Sequence, residues 1–168
     1  MKNRPLAVSL GDPAGVGPEI VVKAWSALRH TGPPFLVVGD LNQVIAAPGG
    51  ASGLVRRIST AEDAARTFPQ ALPVIDIPLL EPVVAGVPSP RAAKAVIAWI
   101  ETAVGLALSG AVGGVVTAPI AKESLYGAGF PFPGHTEFLG ELTLSHRYDG
   151  ARGPVMMLAA PGLRVSLV

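Results

Sequence analysis

Short apolar runs alternate along the chain with segments whose apolar residues recur at helical spacing. Each run stops at Gly, Asp or Pro, which is typical of buried strands. The pattern predicts strands at 5–10, 35–39, 55–58, 74–77, 113–117, 154–160 and 163–168. It predicts helices at 19–29, about 41–47, 91–108, about 121–126 and 135–146, with a capped helical turn from Ser59. Alternating elements with strands apolar on both faces predict an α/β layered fold with a largely parallel sheet.

Local signals refine two of the predicted helices. Pro18 occupies the favoured first position of the helix over 19–29. Ser89 can cap the helix over 91–108, with Pro90 in its first turn, and this helix is apolar on most sides. We therefore expect the helix over 91–108 to be buried.

The stretch 102–121 carries no charged residue and is long enough for a membrane helix. Glycines and a proline divide it, so the sequence predicts a helix end, a turn and a strand instead of a membrane span. The apolar run near the N-terminus is cut by Gly11-Asp12-Pro13, which argues against a secretory signal. We accordingly expect a cytoplasmic protein.

Composition excludes several classes of protein. Lys and Arg number 13 against 12 Asp and Glu, so the chain has no basic excess for nucleic acid. The absence of Cys excludes disulfides, thiolate metal sites and a Cys nucleophile. Charged residues are only 15% of the chain, whereas about 25% is usual in soluble domains. This low fraction predicts either much buried surface or surface that a partner covers.

The segment 11–19 follows the first predicted strand, where ligands bind in open α/β sheets. Asp12 can orient a polar substrate, and Gly15 and Gly17 can let the backbone approach a ligand closely. The spacing is not a dinucleotide fingerprint, because Ile20 occupies the third glycine position, and the Lys-Ser/Thr pair of a phosphate loop is absent. The alternative is a tight turn with a capping Asp.

Two further segments offer polar groups at helix starts. Lys122 follows the predicted strand over 113–117 and can hold a phosphate or carboxylate, or simply be solvated. His135 can bind substrate, a proton or a metal. Thr136 can cap the helix or bind an anion, and Glu137 can complement the helix dipole. The alternative for His135 is an ordinary surface or satisfied histidine.

The two remaining histidines, His30 and His146, are predicted at helix ends, where a His is electrostatically favoured. We interpret both as structural. A metal site needs three or more ligands at coherent spacing, and the three scattered histidines do not supply one.

Taken together, these segments resemble the N-terminal half of the 4-hydroxythreonine-4-phosphate dehydrogenase (PdxA) family. The resemblance spans essentially all 168 residues, in matching order and spacing. The motifs that carry it are Gly11-Asp12-Pro13-Ala14-Gly15-Val16-Gly17-Pro18-Glu19, Thr117-Ala118-Pro119-Ile120 with Lys122-Glu123, Pro133-Gly134-His135-Thr136-Glu137-Phe138-Leu139, and Val155-Met156-Met157-Leu158 followed by Leu163-Arg164-Val165.

The resemblance implies the two-domain α/β fold of the isocitrate and isopropylmalate dehydrogenases, here incomplete, in a homodimer with its site in a cleft. It implies NAD-dependent oxidation of 4-phosphohydroxy-L-threonine, with decarboxylation to 3-amino-2-oxopropyl phosphate, in pyridoxal 5'-phosphate biosynthesis. A divalent metal, commonly zinc and otherwise Mg or Co, polarises the reacting oxygen in this family. His135 and Thr136 correspond to substrate contacts, and Asp12, Lys122 and Glu137 to possible cleft positions.

The chain departs from the family in two respects. Ala121 stands where the family usually has Asn, which removes a polar group near the cleft. The family's metal-binding histidines and basic phosphate contacts correspond to positions beyond Val168, and the chain ends inside an apolar strand. We therefore expect residues 1–168 to be an N-terminal half that lacks the C-terminal half, binds no catalytic metal and is inactive by itself.

Two alternatives remain open. One is a paralogous dehydrogenase that acts on threonate or erythronate 4-phosphate, or on an aromatic dihydrodiol. The other is a vestigial module without catalysis. As an enzyme fragment, the isolated 168 residues are expected to expose apolar surface and to aggregate or fold poorly, because their sheet and dimer contacts are incomplete.

Overall fold

A computed structural model of the chain describes residues 4–147, 149–150 and 153–167. The chain divides into two compact units, Met1–Phe130 and Pro131–Val168. The first unit contains a parallel sheet with its helices, and the second contains one helix and one hairpin. No helix in the described ranges is long and apolar enough to cross a membrane.

The sheet of the first unit has five strands in the order β3-β4-β2-β1-β5, and every neighbouring pair is parallel. The strands are β1 (Leu6–Ser9), β2 (Phe35–Gly39), β3 (Val55–Arg57), β4 (Leu72–Asp76) and β5 (Val115–Thr117). The helices are α1 (Gly17–Leu28), α2 (Leu41–Ala46), α3 (Ala64–Thr67), α4 (Ala93–Leu108) and α5 (Lys122–Gly127). The predicted α/β fold with a largely parallel sheet is confirmed.

The inner strand β2 shows why apolar runs form this sheet. All five of its residues are buried. Asp40 directly follows the strand, and its carboxylate accepts hydrogen bonds from the backbone N–H groups of Asn42, Gln43 and Leu79 at 2.7–3.0 Å. Asp40 thus caps α2 and fixes the segment that follows β4.

The long helix α4 packs on β1, β2 and β5. Its buried side chains include Val96, Trp99 and Ile100, and the Trp99 indole N–H donates to the Ile77 carbonyl at 2.9 Å. Lys94 and Glu101 lie exposed on the helix. The expectation of a buried helix is therefore confirmed for one face of α4 only.

Two predicted caps are wrong. Ser89 makes no side-chain cap hydrogen bond, and a 3-10 turn over Pro90–Ala92 separates it from α4. The helical turn expected from Ser59 begins instead as a 3-10 turn at Ala61, and the Thr60 hydroxyl donates to the Asp63 carboxylate at 3.1 Å. Pro18 lies in the first turn of α1, but as its second residue instead of the predicted first.

The second unit contains α6 (His135–Thr143) and an antiparallel hairpin of β6 (Met157–Ala160) and β7 (Leu163–Ser166). The helix is shorter than predicted, and the Thr143 hydroxyl donates to the Leu139 carbonyl at 2.8 Å near its end. Gly162 supplies the positive φ of 78° in the predicted turn. Val168, the predicted last residue of the final strand, lies outside the described residues.

Every residue of β6 and β7 is exposed. Cross-strand partners share a face, so Leu158 and Val165 lie on the same side of the hairpin as the pair Ala160 and Leu163. That face carries no polar side chain. The expectation that the chain exposes apolar surface is confirmed by this hairpin.

Candidate functional site at the carboxyl edge of the sheet

The strand order reverses between β1 and β5. From β1 the chain passes to β2 on one side, whereas β5 pairs with β1 on the other side. Ligands of open α/β sheets bind outside the carboxyl ends of the strands at such a reversal. The segments that follow β1 and β5 are therefore the candidate site in the first unit.

Backbone hydrogen bonds join these two segments. The Ala118 N–H donates to the Ser9 carbonyl at 3.1 Å, and the Asp12 N–H donates to the Pro119 carbonyl at 2.9 Å. Gly11 has a φ of 75°, and a Cβ atom there would lie 2.5 Å from the Pro119 oxygen. Glycine at position 11 is thus required by both backbone conformation and space.

Asp12 is half-buried at this junction. Its Oδ1 atom accepts a hydrogen bond from the Ala14 N–H at 2.9 Å, which forms the tight turn that was one of the two sequence interpretations. The substrate role of Asp12 stays a prediction.

The two glycines expected to face a ligand differ from each other. A Cβ atom at Gly17 would lie 2.1 Å from the Leu10 carbonyl oxygen, so Gly17 lets α1 start against the end of β1. A Cβ atom at Gly15 would make only ordinary contacts with Asp12. The close approach at Gly17 is therefore to the protein's own backbone, and this packing reason replaces the one we expected.

Lys122 begins α5 at the same edge of the sheet. It is exposed, and no ion pair involves it in the part of the chain that the structure describes. Ala121 precedes it at the helix start and provides no side-chain cap. The Lys122 ammonium group is thus accessible to an anionic ligand.

A small recess adjoins Asp12, with a volume of about 10 Å³. Its walls come from the segment after β1, the start of α4 and the segment containing α5. Three of the lining residues are polar: Asp12, Ser89 and Ser124. The sequence analysis missed Ser124, because a single Ser in a short helix carries no signal that its hydroxyl is buried.

Two contacts besides the Leu79–Asp40 hydrogen bond hold the loop over 78–88. The Gly86 N–H donates to the Ala14 carbonyl at 2.7 Å, and Gly86 has a φ of 80°. An exposed Arg91 guanidinium pairs with Glu81 at 2.6 Å. The hydrogen bond and charge of Glu81 raise the pKa of Arg91. Sequence patterns did not indicate either contact.

The second unit holds the other predicted site residues. His135 and Thr136 are the first two residues of α6 and are half-buried, whereas Glu137 is exposed in the first turn, where its charge suits the helix dipole. Gly134 occupies the N-cap position, and no side chain caps the helix. The predicted capping role of Thr136 is therefore wrong, and its anion-binding role stays a prediction.

The remaining histidines have ordinary surroundings. His30 lies just past α1, where its Nε2 atom accepts a hydrogen bond from the Arg29 side chain at 2.9 Å. His146 is exposed beyond the end of α6, so its predicted place at the helix end is wrong by one short turn. Across the described ranges, no group of three or more His, Asp or Glu could hold a metal ion.

Comparison with known proteins decides the family. The family model described as "Pyridoxal phosphate biosynthetic protein PdxA" matches residues 33–168. The chain belongs to the PdxA family. It is 62% identical over 168 residues to 4-hydroxythreonine-4-phosphate dehydrogenase of Caulobacter vibrioides, covering 100% of this chain and 50% of that protein. The enzyme of the same name from Maricaulis maris is 48% identical, covering 98% and 50%.

Solved structures agree with this PdxA assignment. The 4-hydroxythreonine-4-phosphate dehydrogenase of Klebsiella pneumoniae superposes with a TM-score of 0.79 at 35% identity, over 97% of this chain and 50% of that one. A terephthalate 1,2-cis-dihydrodiol dehydrogenase from Burkholderia xenovorans has a TM-score of 0.70 at 22% identity, over 97% and 47%, and shows the fold alone. The chain thus spans about half the length of the PdxA relatives it matches.

Proposed function

We propose that this chain forms the N-terminal half of a dehydrogenase that acts on 4-phosphohydroxy-L-threonine. The observation that carries the proposal is 62% identity across all 168 residues to a 4-hydroxythreonine-4-phosphate dehydrogenase twice as long. On this proposal residues 1–168 form one part of a two-domain PdxA enzyme, and the C-terminal half supplies the rest of the cleft.

The proposed reaction removes a hydride from the carbon that bears the secondary alcohol and passes it to NAD, while the hydroxyl proton is released. The product is a β-keto acid, which loses CO2 and gives 3-amino-2-oxopropyl phosphate. His135 and Thr136 contact the substrate: the imidazole forms a hydrogen bond with it, and the Thr136 hydroxyl binds it beside the start of α6.

The carboxyl edge of the sheet supplies the other proposed contacts. The exposed ammonium group of Lys122 attracts the phosphate or carboxylate of the substrate. Asp12 offers its second carboxylate oxygen, since Oδ1 is engaged by Ala14. Glu137, which belongs to the second unit and not to this sheet, is the third possible cleft residue. Its exposure in the first turn of α6 leaves its carboxylate accessible.

The metal of this family does not fit the described residues of this chain, which bring together no set of three ligands. We therefore derive no step through a metal from residues 1–168. We propose that the ligands of a divalent Zn, Mg or Co ion come from the C-terminal half, and that residues 1–168 alone are inactive.

We also propose that the full enzyme is a cytoplasmic homodimer. The exposed apolar face of the β6–β7 hairpin supports a covering partner, because apolar faces of this kind mark contact surfaces. The low charged fraction of the chain supports the same proposal.

Position 121 favours a second candidate. Ala121 lines the recess beside Asp12, and it replaces the Asn expected from the family resemblance. A different residue at the cleft edge favours a paralogous dehydrogenase for threonate or erythronate 4-phosphate. The aromatic dihydrodiol alternative has no comparable support, since the neighbour with that activity shows the fold alone. A vestigial module is the remaining alternative.

A substrate panel distinguishes these candidates. The full-length protein is assayed for NADH formation with 4-phosphohydroxy-L-threonine, threonate 4-phosphate, erythronate 4-phosphate and an aromatic cis-dihydrodiol. The proposal expects the highest kcat/KM on 4-phosphohydroxy-L-threonine. Rapid turnover of threonate 4-phosphate with none of 4-phosphohydroxy-L-threonine would support the paralogue, and a stop codon directly after codon 168 would support the vestigial module.

A further inference from the structure

The recess beside Asp12 has the properties of a site for one small polar molecule. Its volume of about 10 Å³ is close to the minimum that a single water molecule requires. Three residues with polar side chains, Asp12, Ser89 and Ser124, are among the residues that line it. These groups lie on three separate segments, so no single turn or helix explains their convergence.

Ser124 provides the independent observation. The residue is 6% exposed, and its Oγ atom has no hydrogen-bond partner within the described part of the chain. Leaving a buried hydroxyl without a partner costs about 1–3 kcal/mol, so native structures pair nearly all such groups with protein or ordered water. The Ser124 hydroxyl therefore needs a partner that the surrounding side chains do not supply.

Asp12 offers the complementary group. Its Oδ1 atom accepts from Ala14, while the other carboxylate oxygen receives no hydrogen bond from the residues described. Water can donate to this carboxylate oxygen and exchange a second hydrogen bond with the Ser124 hydroxyl. Ser89 completes the two to four polar partners that a buried water typically has.

We propose that this recess is a binding site for one ordered water molecule, which bridges Ser124 on α5 to the carboxylate of Asp12. The bridge ties α5 to the segment after β1 at the carboxyl edge of the sheet. This inference does not depend on the proposed substrate, since it rests on the recess and its lining alone.

The chain offers a matched control in Ser9. Its hydroxyl is likewise buried, at 0% exposure, and likewise has no partner among the described residues. Ser9 is not one of the residues that line the recess. Ser9→Ala therefore removes a buried hydroxyl of the same kind without touching the proposed water site.

The test is a crystal structure of the full-length protein at a resolution that shows ordered waters. The Ser124→Ala and Ser9→Ala variants are crystallised and solved in the same way. We expect a density peak within about 3.2 Å of both the Ser124 Oγ atom and the Asp12 Oδ2 atom. The peak should be lost or much weaker in Ser124→Ala and unchanged in Ser9→Ala. No peak in the wild-type protein, or an equal peak in Ser124→Ala, overturns the proposal.

A solution measurement covers the case in which Ser124→Ala does not crystallise. Cross-relaxation between water and the amide protons of Ala93 and Ser124, measured by NMR on the wild-type protein, detects a bound water directly. Cross-peaks at both amides are expected, and their absence in a spectrum that shows other bound waters contradicts the site.

Discussion

The backbone N–H of Asp12 donates to the carbonyl of Pro119 at 2.9 Å, and this bond joins the segments that follow β1 and β5. Residues 107 positions apart in sequence thereby meet at the edge where the strand order reverses. The proposed cleft residues Asp12 and Lys122 depend on this junction for their positions.

Gly11→Ala should destabilise the protein by about 2–4 kcal/mol, because the residue loses its favoured positive φ and its Cβ atom meets the Pro119 oxygen. Equilibrium unfolding in urea measures the effect. Gly15→Ala is the matched control in the same segment, since its Cβ atom would make ordinary contacts only. Equal unfolding free energies for the two variants would show that the junction is not tightly packed.

Asp40→Ala should lower the free energy of unfolding by about 2–3 kcal/mol, because three backbone N–H groups lose a buried carboxylate as their acceptor. Asp63→Ala removes an exposed ion pair with Arg66 and should change stability by less than about 1 kcal/mol. Thermal unfolding of the full-length protein measures the change in stability for both variants. A loss no larger than that of Asp63→Ala would contradict the role we assign to Asp40.

Thr136→Val should reduce kcat/KM of the full-length enzyme by about 10–100-fold, because it removes a hydroxyl that binds the substrate while conserving volume. Thr143→Val is the control, since that hydroxyl bonds only to carbonyls within α6. Steady-state kinetics with 4-phosphohydroxy-L-threonine measures the effect. An unchanged kcat/KM in a folded Thr136→Val enzyme would exclude substrate contact by this hydroxyl.

Lys122→Gln should raise KM by about tenfold, since a charge-assisted contact is lost. The increase in KM should be larger for substrates with an added negative charge. Lys94→Gln removes another exposed ammonium group, from α4, and should leave KM unchanged. The comparison is made at low ionic strength, where electrostatic attraction is strongest. Matching KM values for both variants would place Lys122 outside the cleft.

The apolar runs predicted most of the sheet because buried parallel strands need continuous apolar sequence. Residues 35–39 are the clearest case, since prediction and β2 coincide. The strand order and the junction of Gly11 with Pro119 could not be predicted in this way, because they depend on contacts between distant segments.

The caps failed for a physical reason. Ser89 and Thr136 are good capping residues by type, but a 3-10 turn separates Ser89 from α4, and Gly134 takes the N-cap position of α6, which begins at His135 as predicted. In contrast, the sequence favoured Asp12 and Lys122 as residues at the carboxyl edge of the sheet, and the structure places both there. Ser124 escaped notice because its burial follows from the packing of α5 against the turn at Pro90–Ala92.

The most direct test of the account is the stoichiometry of the reaction in the full-length protein. NADH formation and CO2 release are measured together with 4-phosphohydroxy-L-threonine, in the presence of a divalent metal. The account predicts equal amounts of NADH and CO2, and no NADH from residues 1–168 alone. A folded full-length protein that forms no NADH from this substrate would contradict it.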